Sequence, residues 1–191
     1  MMEILNDDIE KNIGQSLKAL RLQRGMTLDQ LATASGVSRA MISKIERGEA
    51  SPTAVLLARL LGPLKETLSG FFAAASEAPS PLRRLAEQPV WRDPETGYVR
   101  RAVSPPGFAI ATDLVDVTLP AGARAAMPPV ISEPAQDQYV WLLDGRLVMK
   151  CDGARHEMQA GDCLYMTLAQ GTVFENPGSE PCRYAVILRK N

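Results

Sequence analysis

The hydrophobic pattern of this chain changes period near residue 90, and that change constrains the fold more than any other feature. Before it, apolar residues recur with the spacing of amphipathic helices, which are punctuated by glycines at 25, 36, 48 and 62. After it, apolar and polar residues alternate in short segments, and Asp-Gly pairs at 144–145 and 152–153 mark hairpin turns. The chain of 191 residues is therefore predicted to be an α+β multidomain protein.

The composition divides the chain into three segments. We predict a five-helix bundle in residues 10–73, a linker in 74–97 where Ala, Ser and Pro are frequent, and a β domain in 98–191. The predicted strands are 98–103, 108–119, 137–143, 146–151, 154–158, 163–167, 172–175 and 183–188. Many short strands with regular turns favour a closed antiparallel β-barrel or a jelly roll.

The charge is distributed unevenly, although the formal net charge is only -1. Residues 11–65 contain nine basic and three acidic residues, whereas residues 76–191 contain twelve basic and fourteen acidic ones. A basic segment in an otherwise balanced chain indicates a module that binds a polyanion.

The sequence predicts neither a membrane protein nor a disulfide scaffold. The first ten residues contain four acids and no apolar core, unlike a signal peptide. The longest apolar stretch, 54–64, is far shorter than the roughly 20 residues that span a bilayer. The three cysteines, Cys151, Cys163 and Cys182, are an odd number and form no CxxC motif. We therefore expect a cytoplasmic location.

Residues 27–47 predict two short helices joined by a tight turn at Gly36. On the second helix the exposed stripe consists of small and basic residues, namely Arg39, Ala40, Ser43, Lys44 and Arg47. Such a stripe fits a DNA major groove, where Arg and Lys donate to guanine and Ala meets a thymine methyl group. Considered alone, the stripe is equally typical of the solvated face of any amphipathic helix.

The segment LKALRLQRGMTLDQLATASGVSRAMISKIERGEASPT resembles the helix-turn-helix (HTH) of the phage-repressor-like (XRE) regulators, over about residues 12–72. The resemblance implies that double-stranded operator DNA is the partner, and that Arg21 and Glu46 form an internal ion pair. It implies base contacts from Arg39, Ala40, Ser43 and Lys44, and phosphate contacts near the helix ends from Thr27, Gln30, Arg47 and Ser51. The predicted DNA-binding residues are Thr27, Gln30, Ser38, Arg39, Ala40, Ser43, Lys44, Arg47 and Ser51.

The segment YVWLLDGRLVMKCDGARHEMQAGDCLYMTLAQGTVFEN resembles the cupin barrel, over about residues 108–189. Metal-binding cupins carry His-x-His, then Glu, then a final His. Here the Glu position is Gln138 and the final His position is Thr172. The first two His positions fall on Ile131 and Glu133, or on Ser132 and Pro134. We therefore expect no metal, no cofactor and no catalytic residue at this site.

Strand alternation predicts which side chains enter the barrel. The candidate ligand-binding residues are Gln138, Val140, Leu142, Thr172 and Phe174, with Met127, Met149 and Met166 as neighbours. Apolar walls with a few polar groups are typical of small-molecule sites. His156, the one histidine, is predicted to be a surface hairpin residue.

Fusion of this HTH to a cupin resembles a group of bacterial transcriptional regulators. We expect a homodimer, since one HTH reads only a half-site, and we expect the barrel to form the dimer interface. A small molecule in the cupin would then tune operator binding. Two alternatives remain open: a cupin enzyme anchored to DNA, and a barrel that serves only for dimerisation.

Overall fold

The computed structural model describes residues 3–66, 68–73, 80–105, 111–130 and 136–189. The α-helices in these ranges are α1 (Glu3–Gln23), α2 (Leu28–Ser35), α3 (Arg39–Glu46), α4 (Ala54–Leu61) and α5 (Leu68–Ala73). The strands are β1 (Val90–Arg92), β2 (Val99–Ala102), β3 (Thr112–Leu119), β4 (Arg124–Met127), β5 (Asp137–Asp144), β6 (Arg146–Cys151), β7 (Ala154–Gln159), β8 (Cys163–Thr167), β9 (Thr172–Glu175) and β10 (Cys182–Arg189).

The helix-turn-helix consists of α2 and α3, and local side chains determine where both helices begin. The Thr27 side chain accepts from the Gln30 backbone N–H, and the Gln30 side chain accepts from the Thr27 backbone N–H, which forms a capping box. Gly36 ends α2 in the left-handed conformation, with φ of 67°. The Ser38 side chain then accepts from the Met41 N–H and starts α3.

A buried ion pair joins α1 to α3, as the HTH resemblance implied. Arg21 Nε and Nη2 donate to the Glu46 carboxylate at 2.7 and 2.9 Å, and the two side chains are only 8% and 6% exposed. The hydrogen bond to Glu46 raises the pKa of Arg21 further above its usual value. Gly14 allows the same two helices to approach, because a Cβ there would overlap the backbone oxygen of Ile45. The prediction of this pair is confirmed.

The predicted five-helix bundle is wrong in one respect. Helix α5 is a six-residue helix that contacts β2 and β3 as well as α4. Four helices therefore form the bundle, and the fifth lies between the bundle and the β unit. No helix in the described ranges is long and apolar enough to cross a membrane.

The β unit consists of two antiparallel sheets that do not close into a barrel. One sheet has the order β1-β2-β3-β10-β5-β8 and the other has the order β4-β9-β6-β7. The closed barrel is therefore wrong, and a two-sheet jelly roll is the observed form. The core between the sheets includes Val117, Leu142, Leu147, Met149 and Tyr184.

Two strands were not predicted from the sequence. Strand β1 lies within residues that were assigned to the linker, and it pairs with β2. Strand β4 pairs with β9. Both are short, three and four residues, so neither carries enough alternation to be recognised. Positions 108–110 of the predicted strand 108–119 lie outside the described residues.

Candidate functional site

The exposed face of α3 is one candidate site. Arg39, Ala40, Ser43, Lys44 and Arg47 line a shallow groove together with Leu28 of α2. Ile42 and Ile45, on the opposite face of α3, are buried in the helical core. The structure thus brings together all five stripe residues predicted from the sequence, and it leaves the face that they form open to solvent.

Two cations on this surface have acidic partners. Arg39 Nε lies 3.2 Å from Asp29 Oδ1 in a well-exposed pair. Arg47 donates to both carboxylate oxygens of Glu49, at 2.5 and 2.7 Å, and also to the Ser43 hydroxyl. The hydrogen bond from Arg47 lowers the pKa of Glu49 below its usual value. Both pairs are open to water, so a phosphate could replace either carboxylate at little cost.

The other predicted contact residues lie at helix ends. Thr27 and Gln30 form the capping box of α2, and Ser38 caps α3, so all three lie at helix N-termini. The unpaired backbone N–H groups of a helix N-terminus favour a phosphate. Ser51 is half-buried in the segment that precedes α4, two residues before the cap of that helix, Thr53.

The second candidate site is a cavity between the two units of the molecule. It has a volume of about 100 Å³. Its walls come from both β-sheets and from the end of the helical bundle: Ala58 and Gly62 of α4 and its C-terminal turn, Glu66, Leu68 of α5, Tyr98, Arg100, Met127, Pro128, Pro129, Val130, Gln138, Leu168, Thr172, Phe174, Tyr184, Val186 and Leu188. Most of the lining is apolar, with a few polar groups, which is the usual form of a small-molecule site.

The cavity is lined by two neutral polar side chains, Gln138 and Thr172, that have few hydrogen-bond partners in the described part of the chain. Gln138 is 7% exposed, and its one hydrogen bond is a weak contact from Nε2 to the Met166 sulfur at 3.6 Å. Thr172 is 3% exposed and makes no side-chain hydrogen bond to a described residue. Neither side chain has an oxygen or nitrogen that is both fully buried and without a partner, so solvent or a ligand in the cavity can reach these polar atoms.

Three of the five predicted ligand-binding residues line this cavity, namely Gln138, Thr172 and Phe174. Val140 and Leu142 face inward, as alternation predicted, but they do not line it, and both belong to the packed core. Gln138 lies on the same strand and the same face but nearer the start of β5, so the difference is one of position along the strand. Among the neighbouring methionines, Met127 lines the cavity, whereas Met149 and Met166 are buried core residues.

The sequence reasoning missed the cavity residues from β2, β10 and α4. Alternation along β10 could have indicated Tyr184, Val186 and Leu188, because they share a period of two. No signal in the sequence could have placed Ala58 and Gly62 against the cupin unit, because this contact depends on the relative position of the two units.

Helix α4 is the structural element that the two candidate sites share. At its start, the Ala54 N–H donates to Asp93 Oδ2 at 2.5 Å, and Asp93 lies just after β1 in the cupin unit. On its exposed side, Arg59 Nη2 donates to the backbone oxygens of Ser35 and Gly36 at 3.1 and 2.9 Å. These two oxygens lie at the turn between α2 and α3. Helix α4 therefore lines the cavity and also forms hydrogen bonds with the helix-turn-helix.

The residues at the cupin metal positions do not fit a metal site. Gln138 and Thr172 are neutral, and the other four positions, Ile131, Ser132, Glu133 and Pro134, lie outside the described residues. No group of three or more His, Cys, Asp and Glu residues able to hold a metal was found in the described ranges. His156 lies on β7, half-buried and opposite Met149 of β6, away from the cavity lining.

The cysteines lie on three different strands. Cys151 and Cys182 are buried and Cys163 is exposed, and all three are free thiols. Burial raises the pKa of Cys182 to about 11, so its thiol stays protonated near neutral pH.

Comparisons with known proteins place both units in families. A helix-turn-helix family model matches residues 17–71, and a cupin-domain model matches residues 115–188. The HTH-type transcriptional regulator SutR of Escherichia coli is 26% identical over 179 residues, which cover 93% of this chain and 94% of SutR. The uncharacterized HTH-type regulator RghRB of Bacillus subtilis is 37% identical over 101 residues, which cover 50% of this chain and 73% of RghRB.

A solved structure extends the similarity to the whole chain. The crystal structure of an HTH_3 family transcriptional regulator from Vibrio cholerae matches with a TM-score of 0.77 and 25% identity, over 97% of this chain and 99% of that chain. This chain belongs to the XRE-type HTH transcriptional regulators that carry a cupin domain.

Membership of this family confirms the function class predicted from the sequence. The XRE-type regulator described here is a DNA-binding protein in which the HTH unit contains α2 and α3. The cupin model covers the strands from β3 to β10.

Proposed function

We propose that this regulator binds operator DNA as a homodimer through α3, and that a small organic ligand in the cavity changes its operator affinity without a metal or a chemical reaction. The observation that carries the proposal is the position of α4. One helix lines the cavity with Ala58 and holds the turn before α3 with Arg59.

The exposed face of α3 supplies the base-reading groups. Arg39 and Lys44 are long donors that suit guanine O6 and N7, and Ala40 suits a thymine methyl group. Thr27, Gln30, Ser38 and Ser51 lie at the ends of helices, where phosphates bind. Arg47 exchanges the Glu49 carboxylate for a phosphate in this proposal.

The outer face of the larger sheet is the proposed dimer interface, and a second copy of this chain is its occupant. Tyr139, Trp141 and Tyr165 are each about half exposed there, and the Tyr139 and Tyr165 rings lie 5.3 Å apart. Exposed aromatic patches of this kind mark contact surfaces.

The charges around this patch suit a two-fold contact between identical surfaces. Arg183 pairs with Asp116 at 2.9 and 3.1 Å, and Arg189 pairs with Asp137 at 2.5 Å. Each charge is thus paired within its own copy, so two such faces do not repel each other. A dimer also supplies the second HTH, which a two-half-site operator requires.

The cavity communicates with the DNA-binding face through α4. A ligand that contacts Ala58 and Gly62 would shift this helix relative to the cupin sheets. Arg59 would transmit the shift, because its guanidinium holds the carbonyl groups of Ser35 and Gly36 just before α3. A change in the angle between α2 and α3 changes how two HTH units fit the spacing of their half-sites.

The neutral side chains in the cavity support a binding role and not catalysis. Gln138 and Thr172 bind divalent metals weakly, and the described lining contains neither a histidine nor a cysteine that could act as base or nucleophile. The expected result of elemental analysis is less than stoichiometric metal in protein purified without a chelator or a His-tag. Stoichiometric metal would favour the enzyme alternative.

The test of the proposal is to fill the cavity from the wall formed by α4. Ala58→Leu imitates an occupied cavity, and Ala160→Leu makes the same change at an exposed turn of the cupin unit. We expect Ala58→Leu to change operator affinity by about fivefold or more, the lower range of allosteric coupling, while Ala160→Leu leaves it unchanged. Fluorescence anisotropy with operator DNA measures both.

A second variant tests whether Arg59 transmits the change from the cavity to α3. In an Arg59→Gln background, the contact with Ser35 and Gly36 is lost, so Ala58→Leu should no longer alter operator affinity. Folded Ala58→Leu protein with the operator affinity of the unaltered chain would contradict the proposal.

A further inference from the structure

The cavity contains a buried cation that the proposed regulation does not use. Arg100 on β2 lines the cavity and is only 5% exposed. Its Nη1 donates to the Leu68 backbone oxygen at 3.2 Å, and its guanidinium carbon lies 5.5 Å from the centre of the Phe72 ring. These contacts hold the guanidinium at a fixed place in the cavity wall.

Arg100 lies in the cavity wall, where a ligand can reach its guanidinium while bulk water hardly can. Burial lowers the pKa of its guanidinium, while the hydroxyl of Tyr98 and the carboxylate of Asp113 act in the opposite direction. Arginine nevertheless stays charged at physiological pH. An anion that reaches a charge held away from water replaces part of the solvation that the charge has lost.

The other charge in the described lining does not reverse this preference. Glu66 is the carboxylate among the described lining residues, and it is more exposed than Arg100. Water therefore solvates the Glu66 carboxylate better than it solvates the enclosed guanidinium. The more enclosed charge gains more from a ligand of opposite sign, which favours an anion over a cation.

The neutral polar groups lie on the opposite side of the cavity. Gln138 is on β5, three strands from β2, a separation of about 14 Å across the sheet at the usual strand spacing. Thr172 lies on the facing sheet. The apolar side chains of Phe174 and Leu188 lie in the same lining. The lining therefore has a cationic side and a neutral polar side, with apolar surface besides.

We propose that the cavity binds an amphipathic organic carboxylate. Its carboxylate contacts Arg100, its apolar part packs against Phe174 and Leu188, and a further polar group, in ligands that have one, reaches Gln138 and Thr172. This inference rests on the proposed ligand-responsive function and specifies the chemical class of the ligand.

Three probes of equal chain length test the preferred charge: hexanoate, hexanamide and hexylamine. Isothermal titration calorimetry with the full chain measures each affinity. We expect hexanoate to bind about tenfold more tightly than hexanamide, because a hydrogen bond to a charged group contributes more than one between neutral groups. Hexylamine should bind most weakly.

Two matched variants locate the contact. Arg100→Gln removes the cavity cation, whereas Arg101→Gln removes the next cation on the same strand, which faces Asp116 on the outer surface at 4.0 Å. We expect Arg100→Gln to weaken hexanoate binding by about tenfold, and Arg101→Gln to leave it unchanged. If Arg100→Gln does not fold, the three probes on the unaltered chain still decide.

Several results would overturn the proposed ligand class. They are tighter binding of hexylamine than of hexanoate, equal binding of all three probes, no binding of any probe at millimolar concentration, and an equal loss of hexanoate affinity in Arg101→Gln. Any of these would show that Arg100 does not select a carboxylate.

Operator binding separates this inference from the regulatory proposal. If hexanoate binds as expected but leaves operator affinity unchanged, the ligand class stands and the regulatory proposal fails. If Ala58→Leu changes operator affinity but the probes show no preference for a carboxylate, regulation stands and the ligand class fails.

Discussion

The DNA-binding surface and the cupin cavity differ in how many partners their polar side chains have. On the surface, Arg47 already has Glu49 and Ser43 as partners, and Thr27 is satisfied by the capping box. In the cavity, Gln138 has only a sulfur contact and Thr172 has no side-chain partner among the described residues. The polar side chains of the DNA-binding surface thus have partners before DNA binds, whereas those of the cavity have few partners before a ligand binds.

This difference indicates how each site gains affinity. The surface exchanges weak, water-exposed ion pairs for phosphates, so its binding should depend steeply on salt. The side chains of the cavity are already shielded from bulk water before a ligand binds. A well-matched ligand that forms hydrogen bonds with them should therefore bind with little dependence on salt.

The largest expected effect is on stability, and it compares the buried ion pair of Arg21 with the exposed ion pair of Arg47. Glu46→Leu leaves Arg21 buried without its partner and should lower the free energy of unfolding by about 3–5 kcal/mol. Glu49→Leu, which removes the exposed partner of Arg47, should leave stability nearly unchanged. Urea denaturation measures both. A Glu46→Leu loss below about 1 kcal/mol would show that the buried pair resembles the exposed one.

The next effect tests whether the exposed face of α3 reads DNA. Arg39→Ala and Lys44→Ala should each weaken operator binding by about 1–3 kcal/mol and reduce discrimination against altered operators. Arg155→Ala removes an exposed cation of the cupin unit and should have no effect. Wild-type affinity and an unchanged footprint in the double variant would exclude this helix as the reading element.

A pair of threonine variants tests the comparison directly. Thr27→Ala removes a satisfied cap and should lower the free energy of unfolding by about 1 kcal/mol. Thr172→Val removes a hydroxyl that has no hydrogen-bond partner among the described residues, so the free energy of unfolding of the ligand-free protein should change by less than about 1 kcal/mol. Thermal unfolding of both proteins provides the measurement. Equal destabilisation would mean that the Thr172 hydroxyl is as well satisfied as that of Thr27.

The smallest effect concerns the exchange of a carboxylate for a phosphate. Glu49→Gln frees Arg47 and removes a negative charge near the DNA, so operator affinity should rise by less than about fivefold. The salt dependence of binding should become slightly steeper. Anisotropy titrations over a range of salt concentrations measure both quantities. Weaker binding in Glu49→Gln would mean that Glu49 positions Arg47 for the DNA.

The helical unit could be predicted well because its determinants are local in sequence. Thr27, Gly36 and Ser38 define helix ends within twelve residues, and the stripe on α3 follows from helical period alone. The position of α5 was misjudged, because a helix of six residues takes its place from the strands that it contacts. Helix α1 also begins at Glu3, before the predicted start of the bundle at residue 10.

In the cupin unit, only the features that depend on the sequence of a single strand could be predicted. Alternation identified Gln138, Thr172 and Phe174 as inward-facing residues of the cavity. It could not separate Gln138 from Val140 and Leu142, because all three share the inward face of β5 and differ only in position along the strand. Arg100 was missed for a related reason: a charged residue in a strand indicates solvent unless the fold encloses it.

The hydrogen bond from Ala54 to Asp93 limits how the two units of this protein can be recombined. The Asp93 carboxylate, which accepts from the first N–H of α4 beside the Thr53 cap, is encoded about forty residues downstream of Ala54, in the first hairpin of the other unit. A recombination event between residues 74 and 89 would separate the helix from this carboxylate. A chimaera with another sensor half would therefore leave the Ala54 N–H without this acceptor unless the donor supplies one at the same hairpin.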